Sequence, residues 1–254
     1  MPPLRPIALL TACGGALVAL ACAHVPTEKD LRASEIHYDL GIQAQNGGNL
    51  QEAYAEYEEA LKLDPANARA HDAIALLLHL AFQKPRAAIP HFEEALRLDP
   101  QFSEARVNLG NVYLDLKQYD QAIAQYERAL NDMRYPTPYI AQCNLGWAEY
   151  KRGNTEKAIN QIKASVTVNP KFCLGYRNLG TIYDDTGRQE EACSQLARYR
   201  ENCPDFPDAY YREAVCLAKL GRRADAEKRF SECEAKAVEG QLKDDCRRLR
   251  AQLE

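Results

Sequence analysis

Long apolar runs are nearly missing from these 254 residues. The one candidate, Ile7 to Ala21, is fifteen residues long, short of the roughly 20 that a membrane-spanning helix needs. Basic excess is missing too. The formal net charge is −4, which excludes the cationic face of a nucleic-acid backbone binder and any electrostatic pull toward anionic lipid. No CxxC, GxSxG or HExxH occurs, nor a Gly-Lys-Ser or Gly-Lys-Thr phosphate loop. Dithiol redox, serine hydrolase, zincin and phosphate-cradling chemistry therefore have no support. The histidines are His24, His37, His71, His79 and His91. His71 and His79 could share a helix face, but two residues two turns apart make a poor metal site without a third ligand. They read as solvated surface histidines, and no metal or other cofactor is expected.

The amino terminus supplies a different signal. "MPPLRP" carries Arg5 as its only positive side chain, and the apolar stretch after it has the length of a secretory h-region. Small residues then lead to Cys22 in "ALAC". This resembles a bacterial lipobox, in which the cysteine after the cleavage site is acylated and becomes the first mature residue. The family prefers Leu where Ala19 stands. A second match, "LTAC" ending at Cys13, meets that preference but leaves only Ile7 to Ala12 as its apolar stretch. Cys22 is the favoured site, and residues 1–21 are then a signal peptide. The resemblance implies a diacylglyceryl thioether and an N-acyl chain, enough for stable anchoring. Ala23 stands where an Asp often means inner-membrane retention, so the resemblance points to the periplasmic face of the outer membrane. Residues 22–33, with Pro26, read as a lipidated tether.

From residue 34 onward the chain repeats itself. Ala53, Ala88, Ala122, Ala158, Ala192 and Ala226 follow one another at intervals of 34 to 36. Twelve or thirteen residues before each stands Gly41, Ala75, Gly110, Gly146, Gly180 or Ala214. Directly before these come Leu40, Ile74, Leu109, Leu145, Leu179 and Glu213. Four residues after each alanine is Tyr57, Phe92, Tyr126, Ile162, Leu196 or Phe230, and three further on Ala60, Ala95, Ala129, Ser165, Tyr199 or Cys233. Pro65, Pro100, Pro136, Pro170 and Pro204 close most units. This looks like the tetratricopeptide repeat, six times over.

The spacing i, i+4, i+7 gives each second helix one apolar stripe. Gly or Ala in the first helix admits it closely. Gly48, Gly153, Gly187 and Gly221 fall in the turns, where a left-handed backbone suits glycine. A lone hairpin cannot bury its stripe, so neighbours must stack. The expected fold is all-α: a right-handed superhelical solenoid of six helix pairs over residues 34–240, capped by a charged helix at 241–254. Two units depart from the pattern. Unit two has one residue extra, with Pro85 at the turn, and unit three ends two residues long in "NDMRYPTP". Both are expected to bulge a turn.

Seven cysteines lie in the carboxyl-terminal half: Cys143, Cys173, Cys193, Cys203, Cys216, Cys233 and Cys246. An exported chain sits where disulfides persist, so bridges bracing units four to six are expected. Connectivity stays open. Cys143 with Cys173 and Cys233 with Cys246 are natural pairs, and an odd count leaves at least one cysteine over.

In tetratricopeptide arrays the first helices line a concave groove. Carried over unit by unit, that resemblance places Tyr38, Ile42, Leu76, Val107, Leu114, Ile140, Trp147 and Tyr150 on it, with Arg177 and Tyr211 beyond. Contiguous exposed apolar area usually marks binding, and Trp147, the only tryptophan, is a plausible anchor. Tether, repeats and cap account for almost every mature residue, so no enzyme is expected. A lipid anchor followed by six such repeats resembles the Tgl/PilF class of type IV pilus pilotins. That class implies an outer-membrane lipoprotein that binds a secretin protomer and promotes secretin multimerisation. The alternative is a periplasmic adaptor of the same shape for another envelope assembly, protease or peptidoglycan-hydrolase system. Neither reading involves nucleic acid or a small-molecule substrate.

Overall fold

A computed structural model describes residues 25–253. Cys22, Cys13 and the signal-peptide reading of 1–21 lie outside the described residues. Those described form thirteen helices and no strand. They pair as α1 (Glu28–Asn46) with α2 (Leu50–Leu63), α3 (Ala68–Leu76) with α4 (Pro85–Leu98), and α5 (Ser103–Asp115) with α6 (Tyr119–Leu130). Then come α7 (Pro138–Arg152) with α8 (Thr155–Val168), α9 (Cys173–Asp185) with α10 (Gln189–Asn202), and α11 (Pro207–Lys219) with α12 (Arg223–Lys236). The last helix, α13 (Gln241–Ala251), stands alone. Among the described residues no helix is long and apolar enough to cross a membrane.

The periodic residues are the core. Ala53, Tyr57 and Ala60 of α2 are buried, as are their counterparts in all five later second helices. The small residue opposite is required by space. A Cβ on Gly110 would stand 2.5 Å from the Tyr126 ring, and one on Gly180 2.6 Å from Leu196. The Leu-Gly position is covered by the preceding unit, which leaves Ile74, Leu109, Leu145 and Leu179 at most 2% exposed. Leu40 has no preceding unit among the described residues and is 40% exposed. In unit six that position holds Glu213, buried and ion-paired to Arg200 and, at 3.2 Å, Arg229. A buried carboxylate is tolerated only when paired in this way.

Five of the six turns close alike. The N–H of Asn49, Gln118, Asn154, Arg188 and Arg222 donates to a carbonyl five residues back, which satisfies the end of the first helix. The left-handed residue just before is Gly48, Gly153, Gly187 or Gly221, but in unit three it is Lys117, with φ 60°. In unit two the N–H of Lys84 reaches six residues back, to Leu78. The extra residue is absorbed there as a π-helical turn, Leu77–Ala81, at the end of the first helix. The turn itself does not bulge. Gln83 takes the left-handed conformation, and Pro85 is the first residue of α4, where a missing N–H costs nothing. The two extra residues of unit three lie in the connection to α7, which tucks in the Tyr135 side chain.

The first boundary also moves. Residues 28–33, expected as tether, are the opening turns of α1, because Thr27 and Asp30 form a reciprocal capping box. Across units, α5 touches α7, α7 touches α9 and α11 touches α13, while no two second helices approach as closely. The stack therefore curves with its first helices on the inside.

Three disulfides join the carboxyl-terminal part. Cys173 pairs with Cys203 across unit five, Cys193 with Cys216 between units five and six, and Cys233 with Cys246 between α12 and the cap. The pair Cys143–Cys173 is not formed. Cys143 is a buried thiol whose sulfur accepts from the Asn178 amide at 3.5 Å. Its place on α7 makes it part of the core between units four and five, and Cys173 at the start of α9 meets the end of α10 instead.

Candidate partner-binding groove

The inner wall is built by α1, α3, α5, α7, α9 and α11. Seven of the eight residues assigned to it are partly exposed there: Tyr38, Ile42, Leu76, Leu114, Ile140, Trp147 and Tyr150. Val107 is not. It is 4% exposed and belongs to the core, because the seam with the neighbouring units closes over it. Arg177 and Tyr211 remain partly exposed further along.

Two aromatic groups stand out. In unit one the Tyr38 ring leans on Tyr57 at 5.7 Å and carries the Arg69 guanidinium 4.6 Å above its centroid. In unit four Trp147 and Tyr150, one helical turn apart, lie 5.3 Å apart, with the Lys151 ammonium 4.7 Å from the indole. An indole and phenol already held against each other lose little freedom on binding, and such side chains dominate interface energetics.

The wall also carries a polar ladder that the hydrophobic pattern did not reveal. Arg69 pairs with Glu35, the Asn108 amide donates to Asp72 at 3.4 Å, and His79 bonds Asp115 at 2.7 Å. Asn144 donates to Asn111 at 2.9 Å, Tyr150 to Asp185 at 2.6 Å, and Lys219 to Asp184 at 2.6 Å. Every one of these contacts joins residues 33 to 36 apart, one repeat. That separation was the available signal: complementary polar residues one period apart on first helices.

Burial pushes the Asp72 carboxyl up to about 6, partly opposed by the Asn108 hydrogen bond. Burial also pushes the Cys143 thiol up to about 12, so it is no nucleophile at neutral pH. The two histidines read as solvated are not. His79 is 6% exposed. His71 is half-buried against His91, with their Nδ1 atoms 3.2 Å apart. Burial lowers the pKa of both, and in His91 the neighbouring His71 lowers it further. Among the described residues no group of three or more His, Cys, Asp or Glu could hold a metal ion. What this wall offers is shape, aromatic area and patterned hydrogen bonding, the means of gripping a polypeptide.

Three family models, each described as a tetratricopeptide repeat, match residues 34–67, 79–142 and 143–205. With six stacked helical hairpins, the chain is a tetratricopeptide-repeat protein. Within that class it is similar to PilW, described as a widely conserved type IV pilus biogenesis factor. The crystal structure of PilW aligns with a TM-score of 0.75 at 25% identity, over 84% of this chain and 97% of that one. The structure of Pseudomonas aeruginosa PilF aligns with a TM-score of 0.71 over 87% of this chain and 100% of that one; at 17% identity this shows a shared fold alone. In sequence, the type IV pilus assembly protein PilF of Pseudomonas aeruginosa is 26% identical over 137 residues, 54% of each chain. The chain spans about half the length, or less, of the curated relatives it matches.

Proposed function

We propose that this protein is a type IV pilus assembly adaptor of the pilotin kind, anchored by lipid on Cys22 at the periplasmic face of the outer membrane. Its inner wall grips a secretin protomer and promotes assembly of that protomer into the multimeric channel. The observation that carries this reading is the likeness to PilW, which runs through nearly the whole of that factor and most of this chain. The lipobox-like "ALAC" supports the anchor. The Trp147–Tyr150 cluster supports the grip. Acyl chains would hold adaptor and protomer at one surface and raise their effective concentration, so that assembly becomes a search in two dimensions. Catalysis has no part in this reading.

Deleting the gene and following secretin multimers on heat-resistant gels tests it. Multimers and pili are expected to disappear and to return with the wild-type gene. They are not expected to return with Cys22→Ala or with a Trp147→Ala, Tyr150→Ala double variant. Normal multimers and normal pili in the deletion strain contradict the reading.

A further inference from the structure

Four of the histidines fall within the described residues, and they divide into two kinds. His37 and His79 each hold a carboxylate at 2.7 Å, from Glu56 and Asp115. His71 on α3 and His91 on α4 hold no carboxylate. They face each other nitrogen to nitrogen, Nδ1 to Nδ1 at 3.2 Å, with rings 5.4 Å apart and tilted by 43°. Nε2 of His71 lies 3.3 Å from the Pro65 carbonyl. A carbonyl only accepts, so Nε2 carries the proton and the Nδ1 lone pair of His71 is left pointing at His91. Orientation of a histidine by a backbone carbonyl on its far nitrogen is the usual support of a metal-ligating imidazole.

The separation fits the same use. Two metal–nitrogen bonds of about 2.05 Å at a tetrahedral angle place their nitrogens about 3.3 Å apart. The surrounding charge is mixed. Glu94 on α4 and Glu58 on α2 face the pair and favour a cation, while Arg97 opposes one and is itself held by Glu94 through two hydrogen bonds.

We propose that His71 and His91 chelate a borderline divalent cation, of the class Zn²⁺, Ni²⁺ or Cu²⁺, through their two Nδ1 atoms, stapling α3 to α4. Without the ion, His91 donates its Nδ1 proton to His71. With it, that proton shifts to Nε2 of His91, both Nδ1 lone pairs converge on the ion, and no proton leaves the pair. Water fills the remaining positions, so the site is weaker than a closed four-ligand one, and Cu²⁺ binds more tightly than Ni²⁺ or Zn²⁺. The staple falls in the unit whose first helix ends in the π-helical turn.

Calorimetric titration of the full, untagged chain with ZnCl₂, CuCl₂ and MgCl₂ tests this. One Zn²⁺ or Cu²⁺ per chain and no Mg²⁺ is expected. His71→Gln and His91→Gln each weaken Zn²⁺ binding tenfold or more, while His37→Gln leaves it unchanged. Circular dichroism confirms that each variant is folded. In the wild type, imidazole NMR signals of His71 and His91 shift on Zn²⁺ addition, and those of His37 and His79 do not. Absence of binding at millimolar Zn²⁺, or a folded His71→Gln, His91→Gln double variant that binds as the wild type does, overturns the proposal.

Discussion

Units one to four and units five and six follow one repeat pattern but are held in different ways. The second helices of units one to three, such as "LQEAYAEYEEALKL" of α2, carry an apolar face that they bury in one cluster running from α1 to α7, and α8 packs into a second cluster with α9 and α10. The late ones are more polar, as in "QEEACSQLARYREN" of α10 and "RADAEKRFSECEAK" of α12. There three disulfides run in series from the start of α9 to the cap. Cys233 occupies the slot that Ala60, Ala95 and Ala129 fill earlier. Since stability in a solenoid is a sum over units and their interfaces, one array can rest on burial alone at one end and on burial reinforced by cross-links at the other. The Trp147–Tyr150 pair of the inner wall lies in unit four, on the uncross-linked side, while a wall tyrosine leans on a core ring at both ends, Tyr38 on Tyr57 in unit one and Tyr211 on Phe230 in unit six.

Reduction breaks this comparison most strongly. Loops of 30, 23 and 13 residues make each bridge worth about 3 kcal/mol. Under reductant, hydrogen exchange is expected to speed up across α9 to α13 while α1 to α8 stay protected. Uniform loss of protection along the chain contradicts the division.

The complementary change acts on burial. Gly110→Ala pushes a methyl into the Tyr126 ring and is expected to destabilise by about 1–3 kcal/mol in urea, with opening confined to units two to four even when all bridges are intact.

A third change is pH-dependent and belongs to the early part alone. The Asp72 carboxyl is raised to about 6 by burial, against about 3.9 in the unfolded chain. The stability it contributes is fully present below the unfolded value and is lost as pH rises through about 6. Asp72→Asn is thus expected to stabilise the protein by roughly 1–3 kcal/mol at pH 7 and by nothing below about pH 4. Melting curves across that range check it; equal gains at both ends contradict the assigned cause.

The smallest effect sits in the turns. Lys117 holds the left-handed conformation that glycine holds in four other units. Lys117→Gly is expected to raise stability by about 0.5–1 kcal/mol, and Gly153→Ala to lower it by a similar amount.

Much of the fold was legible because it repeats. A position that recurs six times declares its burial, which is why the stripe, the small residues facing it and four of the turn glycines were found from spacing alone. Features that occur once were not legible. The π-helical turn depends on where unit two absorbs one residue, and neither Pro85 nor the repeat count fixes that. The capping box of Thr27 and Asp30 was present in the sequence but masked by the polar composition of the segment before α1. Among the groove residues, Tyr38, Trp147 and Tyr150 were placed by register. Val107 was misplaced because groove and seam differ by a fraction of a helical turn, and only packing separates them. Disulfide partners depend on which helix ends meet in space. Cys233 and Cys246 flank a single turn, whereas Cys173 and Cys203 meet only once unit five has folded.

The claim that the inner wall is the working surface is tested most directly by photocrosslinking in cells. A photoreactive residue placed at 147 on the inner wall and, separately, at the exposed position 163 on α8 would be compared in otherwise wild-type protein. The account predicts a secretin adduct from position 147 and none from 163. Adducts from 163 alone would place the partner on the outer face and contradict it.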